Sequence, residues 1–267
     1  MIQNCQSWCY YYQMNDLNIR QSQFLKQIAG FFKISFHIKL LSLCLIFSQP
    51  LALADPLEAG LGALERGHYG TAVRAFLPLA KEDNPEAQTF MGYLYEKGLG
   101  VSQSYPESFN WYEKAGKQGS YKAQHSLGLF YYTGEGVKLD YKIAYEWFLR
   151  ASDSDYAPSL YMLGLMYHQG HGVATDFDRA RVWFLKSAKL GYANAQFMYS
   201  FMLQSGEGGI SEPKKAMVWA LLAEKNGKQD TVTITVPAEM SLTELEIETS
   251  KKIANECFMT NYQSCPE

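Results

Sequence analysis

Residues 123–137 read AQHSLGLFYYTGEGV, and residues 159–173 read SLYMLGLMYHQGHGV. The two stretches lie 36 residues apart and share one skeleton: a small residue, a glycine five positions on, a tyrosine three further, and a G-x-G-V end. Residues 87–101, AQTFMGYLYEKGLGV, carry the skeleton one period earlier. Residues 195–209, AQFMYSFMLQSGEGG, carry a weaker copy one period later, with Ser200 for the glycine and Leu203 for the tyrosine. A fixed period of this length marks a repeat architecture, in which each copy is one supersecondary unit.

Small and apolar residues at helical spacing make the first part of each copy a helix. A glycine inside a helix is unfavourable by about 1 kcal/mol against alanine. Its recurrence at 92, 128 and 164 therefore implies that a side chain there would clash with a paired helix. The G-x-G pair (98/100, 134/136, 170/172, 206/208) ends that helix and turns the chain, because glycine takes positive φ without strain. A second helix then begins on a cap. Ser104 with Glu107 forms a capping-box pattern, Asp140 and Asp176 are good N-caps, and Pro213 suits a first helical turn. Trp111, Trp147, Trp183 and Trp219 recur on this helix and are expected to pack into the groove between helices.

The pattern A-x(4)-G-x-x-Y-x-x-G-x-G-V, followed by D-x-x-x-A, W, K-A and a terminal glycine, resembles the Sel-one-like repeat family, a 36-residue relative of the tetratricopeptide repeat. The resemblance implies an all-α, right-handed superhelix (solenoid) of tandem helix-turn-helix units at 85–120, 121–155, 156–191 and 192–227. The fourth copy, degenerate at Ser200, Leu203, Gly209 and Glu212, is read as a capping unit. Residues 55–84, with Gly67-His68-Tyr69, Ala72, Phe76 and Ala80, look like a tetratricopeptide-type unit at the front.

Outside the array, Lys33, His37 and Lys39 precede the apolar run 40–47 and the A-x-A end at Ala52–Ala54. A basic flank, a short apolar stretch and small residues at the end make a secretory signal, expected to be cut after Ala54. The run is too short to span a bilayer. Residues 1–13 resemble no targeting element, and a natural start at Met14 or later is expected. Without 1–54 the chain holds 20 basic and 26 acidic residues, a mildly acidic balance that gives no electrostatic reason to bind nucleic acid. Cys257 and Cys265 remain, and an even pair in an exported chain reads as a disulfide. In 228–267, the β-branched stretch Thr231–Pro237 is expected to be an extended linker. Ser241 with Glu244 is expected to cap a last helix ending near Cys257.

Catalytic chemistry finds no footing. His168-x-x-His171 has no third ligand at metal spacing, and the G-x-G turns lack the strand and the G-K-[ST] of a phosphate loop. No nucleophile elbow or H-E-x-x-H is present. The expected function is that of a non-enzymatic, cofactor-free scaffold, periplasmic or secreted, holding a protein or peptide. Its concave first helices would present Tyr93, Glu96, His125, Leu129, Tyr132, Tyr161, Leu165 and His168. The alternative is a glycan-binding accessory factor of the envelope, motivated by the aromatic residues. A cell-wall or β-lactam hydrolase, known among relatives of the family, is more remote because no residue here would carry it.

Overall fold

A computed structural model describes residues 55–267. The expected signal segment, with Ala54 at its expected end, and the expected start at Met14 lie outside the described residues. Among the described residues there are twelve helices. The first pair is α1 (Pro56–Glu65) and α2 (Tyr69–Lys81). Four repeat pairs follow: α3 (Pro85–Lys97) with α4 (Tyr105–Lys117), α5 (Tyr121–Thr133) with α6 (Tyr141–Ser152), α7 (Ala157–Gln169) with α8 (Phe177–Lys189), and α9 (Ala193–Ser205) with α10 (Pro213–Lys225). The chain closes with α11 (Val232–Ser241) and α12 (Glu244–Met259). From α1 to α11 each helix packs on the next in sequence, which is the stacking of a solenoid, and α12 packs back on α10.

The inferred clash at the helix glycines has a named partner. A Cβ on Gly92 would stand 2.6 Å from the ring of Tyr112, one on Gly128 2.5 Å from Phe148, and one on Gly164 2.6 Å from Phe184. All three rings are buried. In the fourth pair Ser200 takes the glycine's place and Ala220 the ring's, and both are fully buried. The side chain added on one helix is matched by the one removed from the other.

The tryptophans pack between helices as expected, but the groove facing the helix glycine within each of the first three repeat pairs is filled by another ring. That place belongs to the residue after each of them. Trp111, Trp147 and Trp183 are half-buried and pack against the core of the preceding helices, each under a cation from the following turn. Trp219 alone of the four repeat tryptophans is fully buried.

The turns are built on the expected caps. Gly98, Gly134, Gly170 and Gly206 end the first helices in the left-handed conformation. Ser104, Asp140 and Asp176 accept backbone N–H bonds at the starts of the second helices. The backbone N–H of each second-helix N-cap also donates back to the end of the first helix: Ser104 to Tyr95, Asp140 to Tyr131, Asp176 to Tyr167 and Glu212 to Leu203, at 2.8–3.0 Å.

Repeats are joined by contacts that residue type alone does not announce. Gln88, Gln124 and Gln196 are buried, and each donates to a carbonyl in the last turn of the preceding second helix (Ala80, Gly116 and Ala188, 3.0–3.1 Å). A helix leaves its last carbonyls without partners, and these glutamines supply one from the next repeat.

The C-terminal region departs from expectation in two places. The β-branched stretch is helical, as α11, because Ile234 and Ala238, four residues apart, are buried against the preceding pair. Burial of that stripe outweighs a weak local preference. The last helix is capped by Thr243 and Glu246, not by Ser241 and Glu244. The Thr243 side chain accepts from the N–H of Glu246, and the Glu246 carboxylate accepts from the N–H of Thr243. Ser241 instead ends α11. Cys257 is buried on α12, and the Cα of Cys265 lies 4.9 Å from its own, a separation that a disulfide spans.

Candidate partner-binding face

The first helices offer one row of variable positions. Thr89, Tyr93 and Glu96 on α3 stand at i, i+4 and i+7, which is one face of a helix. The same register gives His125, Leu129 and Tyr132 on α5, Tyr161, Leu165 and His168 on α7, and Phe197, Phe201 and Gln204 on α9. The eight residues expected from sequence to meet a partner are members of this row, and all eight are half-buried.

Each position has a job within the stack. At the first, Thr89 Oγ1 meets Ser120 Oγ at 2.8 Å. His125 Nδ1 meets Ser159 Oγ at 2.8 Å, and its ring lies against Phe148 and Tyr156. Tyr161 packs edge-on to Tyr192 and against Phe184. At the second, Leu129 and Leu165 border the core between the second and third repeats, and Tyr93 borders the core between the first and second. At the third, Glu96 accepts from the Tyr112 hydroxyl at 2.9 Å. Tyr132 donates to Gln169 Oε1 at 3.0 Å and stands 3.0 Å from His171 Nδ1. His168 Nε2 stands 2.8 Å from Glu207 Oε2. These spans of 16–39 residues fasten a repeat internally or to its neighbour.

The row is thus a seam with a partly exposed rim. Its most open large apolar member is Phe201, at 39% exposure, which sequence reasoning did not single out. The signal was present: Phe201 holds the register of Tyr93, Leu129 and Leu165 in the last copy, where no further repeat follows. The two histidines of the H-x-x-H pair are drawn to different partners, His168 to Glu207 and His171 to Tyr132 and the face of Tyr141. Among the described residues no group of three His, Cys, Asp or Glu side chains is placed to hold a metal ion.

Burial sets the protonation of this seam. It pushes the Tyr132 and Tyr93 hydroxyls up and lowers His125 to about 3 from its usual 6.5. Desolvation disfavours the imidazolium, so His125 is neutral in the folded chain. As pH falls below 6.5 the unfolded chain takes up this proton first, and stability drops until the folded pKa is reached. Between pH 7 and pH 5 the expected loss is about 2 kcal/mol. Urea titrations at the two pH values should show it in the natural chain and not in His125→Phe. Equal losses in both would assign the pH dependence elsewhere.

Against known proteins, the family model for the Sel1 repeat matches residues 85–120, 122–156, 157–192 and 193–228. A solved Sel1 repeat protein from Oxalobacter formigenes is 26% identical, with a TM-score of 0.66 over 80% of this chain and 93% of that one. A protective antigen from uropathogenic Escherichia coli strains, with an SLR fold, is 27% identical, with a TM-score of 0.61. That match covers 70% of this chain and 42% of the antigen. No curated protein matches.

Proposed function

Because this chain belongs to the Sel1 repeat family, whose members are generally non-catalytic scaffolds for protein interaction, we propose that it is an exported adaptor that docks a protein or peptide along the rim of its first helices. The observation that carries this reading is the division of labour within the repeat. The regular residues (the helix glycine, the ring opposite it and the G-x-G turn) build the stack. The irregular ones line a single row that ends at the open Phe201. Extended rows of this kind suit peptide segments and folded domains. Tyr132 and Tyr161, which a glycan-binding reading would use as stacking platforms, have rings engaged within the stack, Tyr132 by Tyr141 and His171 and Tyr161 by Tyr192.

Two features support export. The A-x-A end falls immediately before Asp55, which caps α1 by accepting from the N–H of Leu57 at 3.0 Å. Cleavage there would leave the first helix and its cap intact. The Cys257–Cys265 pair would persist as a disulfide in an oxidising compartment and not in the cytosol. Among the described residues no helix is long and apolar enough to cross a membrane.

One experiment addresses both parts of the reading. The tagged chain is expressed in a bacterial host, recovered from the envelope fraction and sequenced from its N-terminus, and its captured proteins are identified. The expected product begins at Asp55 and carries a protein that Phe201→Asp loses but Ile210→Asp, at an exposed turn, keeps. A full-length cytoplasmic product would overturn export. A folded chain that captures nothing, or a capture indifferent to Phe201, would overturn the proposed face.

A further inference from the structure

The 36-residue register runs on past the fourth pair. Thr231 stands at the place of Ala195, Val236 at that of Ser200 and Ala238 at that of Met202. Thr231 and Ala238 are buried like their counterparts, and α11 packs on α10 and α9. So α11 takes the place of the first helix of a fifth copy. Its second helix is elsewhere. The residue opposite the helix glycine (Tyr112, Phe148, Phe184, then Ala220) recurs as Glu256, which is exposed and lies 3.8 Å from Lys252. Helix α12 packs on α10 instead, where Ser250 Oγ donates to the Lys214 carbonyl at 3.5 Å and Lys214 Nζ meets Glu246 at 2.6 Å.

The face that a paired helix covers in the other copies is therefore open on α11. Gln196 and Ser200 of α9 are fully buried, whereas their counterparts Val232 and Val236 are 60% and 45% exposed. Thr233 and Pro237 are exposed beside them, and Met240 is 85% exposed. These five residues stand at i, i+1, i+4, i+5 and i+8, which is one face of the helix, and none is charged. The outermost surface of a helical array is ordinarily polar. An apolar face there marks a contact site.

The face complements itself. Val232 and Met240 lie four residues to either side of Val236. A second α11 laid antiparallel about Val236 sets the long Met240 of each copy beside the short Val232 of the other. Valine meets valine at the crossing. Alternating large and small side chains across facing helices is what lets them interdigitate. The charges match as well. Lys228, whose Nζ lies 5.0 Å from the Phe197 ring, precedes the helix, and Glu244 follows it, each eight residues from Val236. The same axis turns each cation toward the other copy's acid. A parallel arrangement would set methionine on methionine and lysine on lysine.

We propose that the open face of α11 is the contact between two copies of this chain, which pair antiparallel about a twofold axis at Val236. One patch then serves both copies, as in any closed twofold contact. The second α11 covers the face that the displaced second helix leaves open. The proposal does not rest on the adaptor reading, because the purified chain alone suffices to test it.

The test is sedimentation velocity on the chain as purified from its expression host, read across a dilution series. The natural chain is expected to dimerise with a Kd on the order of 10 µM, the strength of a small interface. Val236→Lys and Val236→Glu should each weaken the dimer at least tenfold, because each sets two like charges on the axis. Mixing the two variants should restore association, since lysine then meets glutamate at that one point. A natural chain that stays monomeric at about 100 µM overturns the proposal. So does a dimer indifferent to Val236, or one lost in both variants and not recovered in the mixture. If either variant loses its helical circular dichroism, Met240→Glu mixed with Val232→Lys takes their place, with the same outcomes expected. A monomeric chain in which a photo-crosslinker at Val236 captures an unrelated polypeptide assigns the face to a foreign helix, which also overturns the pairing of copies.

Discussion

Replacing Gly128 by alanine should destabilise the array by about 3 kcal/mol, although alanine is the better helix former by about 1 kcal/mol. The reason is the Phe148 ring, which is fully buried and has three atoms within 2.9 Å of where the new Cβ would stand. Neither side can give way without opening the core between α5 and α6. Phe148→Ala alone should remove about 4 kcal/mol, the range for emptying a buried aromatic site. The informative variant combines Gly128→Ala with Phe148→Ala, which moves the second repeat toward the fourth repeat's own pair, Ser200 and Ala220. Its loss should fall short of the sum of the two single losses by about 2 kcal/mol, because the two sites share one volume. Urea denaturation followed by circular dichroism reads all four chains. Strict additivity would show that glycine and ring are not coupled as described.

The second large effect is expected at Gly172. Gly172→Ala should cost about 4 kcal/mol, while Gly170→Ala, two residues earlier in the same turn, should cost about 1 kcal/mol. Both glycines have φ near +74°, so the conformational strain is the same. The surroundings differ. A Cβ on Gly170 would meet Thr175 Oγ1 at 2.6 Å, a side-chain atom that can rotate away. A Cβ on Gly172 would meet the carbonyl oxygen of Tyr141 at 2.5 Å and its carbon at 2.6 Å. That backbone is the start of α6 in the preceding repeat and cannot move without parting the two repeats. The relation recurs: Gly100 meets Tyr69, Gly136 meets Tyr105 and Gly208 meets Phe177, in each case 31 residues back. Thermal melts of the two variants check the ranking, and equal shifts would refute it.

This distinction shows how much the sequence could say. Periodicity revealed the repeat, the helix pair, the caps at Ser104, Asp140 and Asp176, and the need for space at Gly128. All of these are local or strictly periodic signals. The role of the second glycine was hidden because its neighbour lies in another repeat, and nothing in G-x-G separates a turn glycine from a contact glycine. The tryptophans told only part of their surroundings for a similar reason. A large aromatic at helical spacing reads as core, but the fully buried ring is the next residue, and the indole packs half-buried against the preceding helices under Lys114, Arg150 or Lys186. Residues 231–237 misled because β-branching is a property of the segment, whereas the burial of Ile234 and Ala238 is a property of what it lands on.

The candidate face was legible as a row and not as a set of free side chains. An i, i+4, i+7 stripe follows from the sequence. That His125 reaches Ser159, Tyr132 reaches Gln169 and His168 reaches Glu207 follows only once neighbouring pairs are stacked.

The sequence by itself determined the unit and its number, because a 36-residue period with glycine, tyrosine and G-x-G at fixed places admits only a tandem of helix pairs. The tertiary structure alone decided which residues remain open for a partner. Exposure depends on the neighbour each residue meets: for Phe201 no further repeat, for Trp219 the segment that brings the Pro266 carbonyl to its indole N–H.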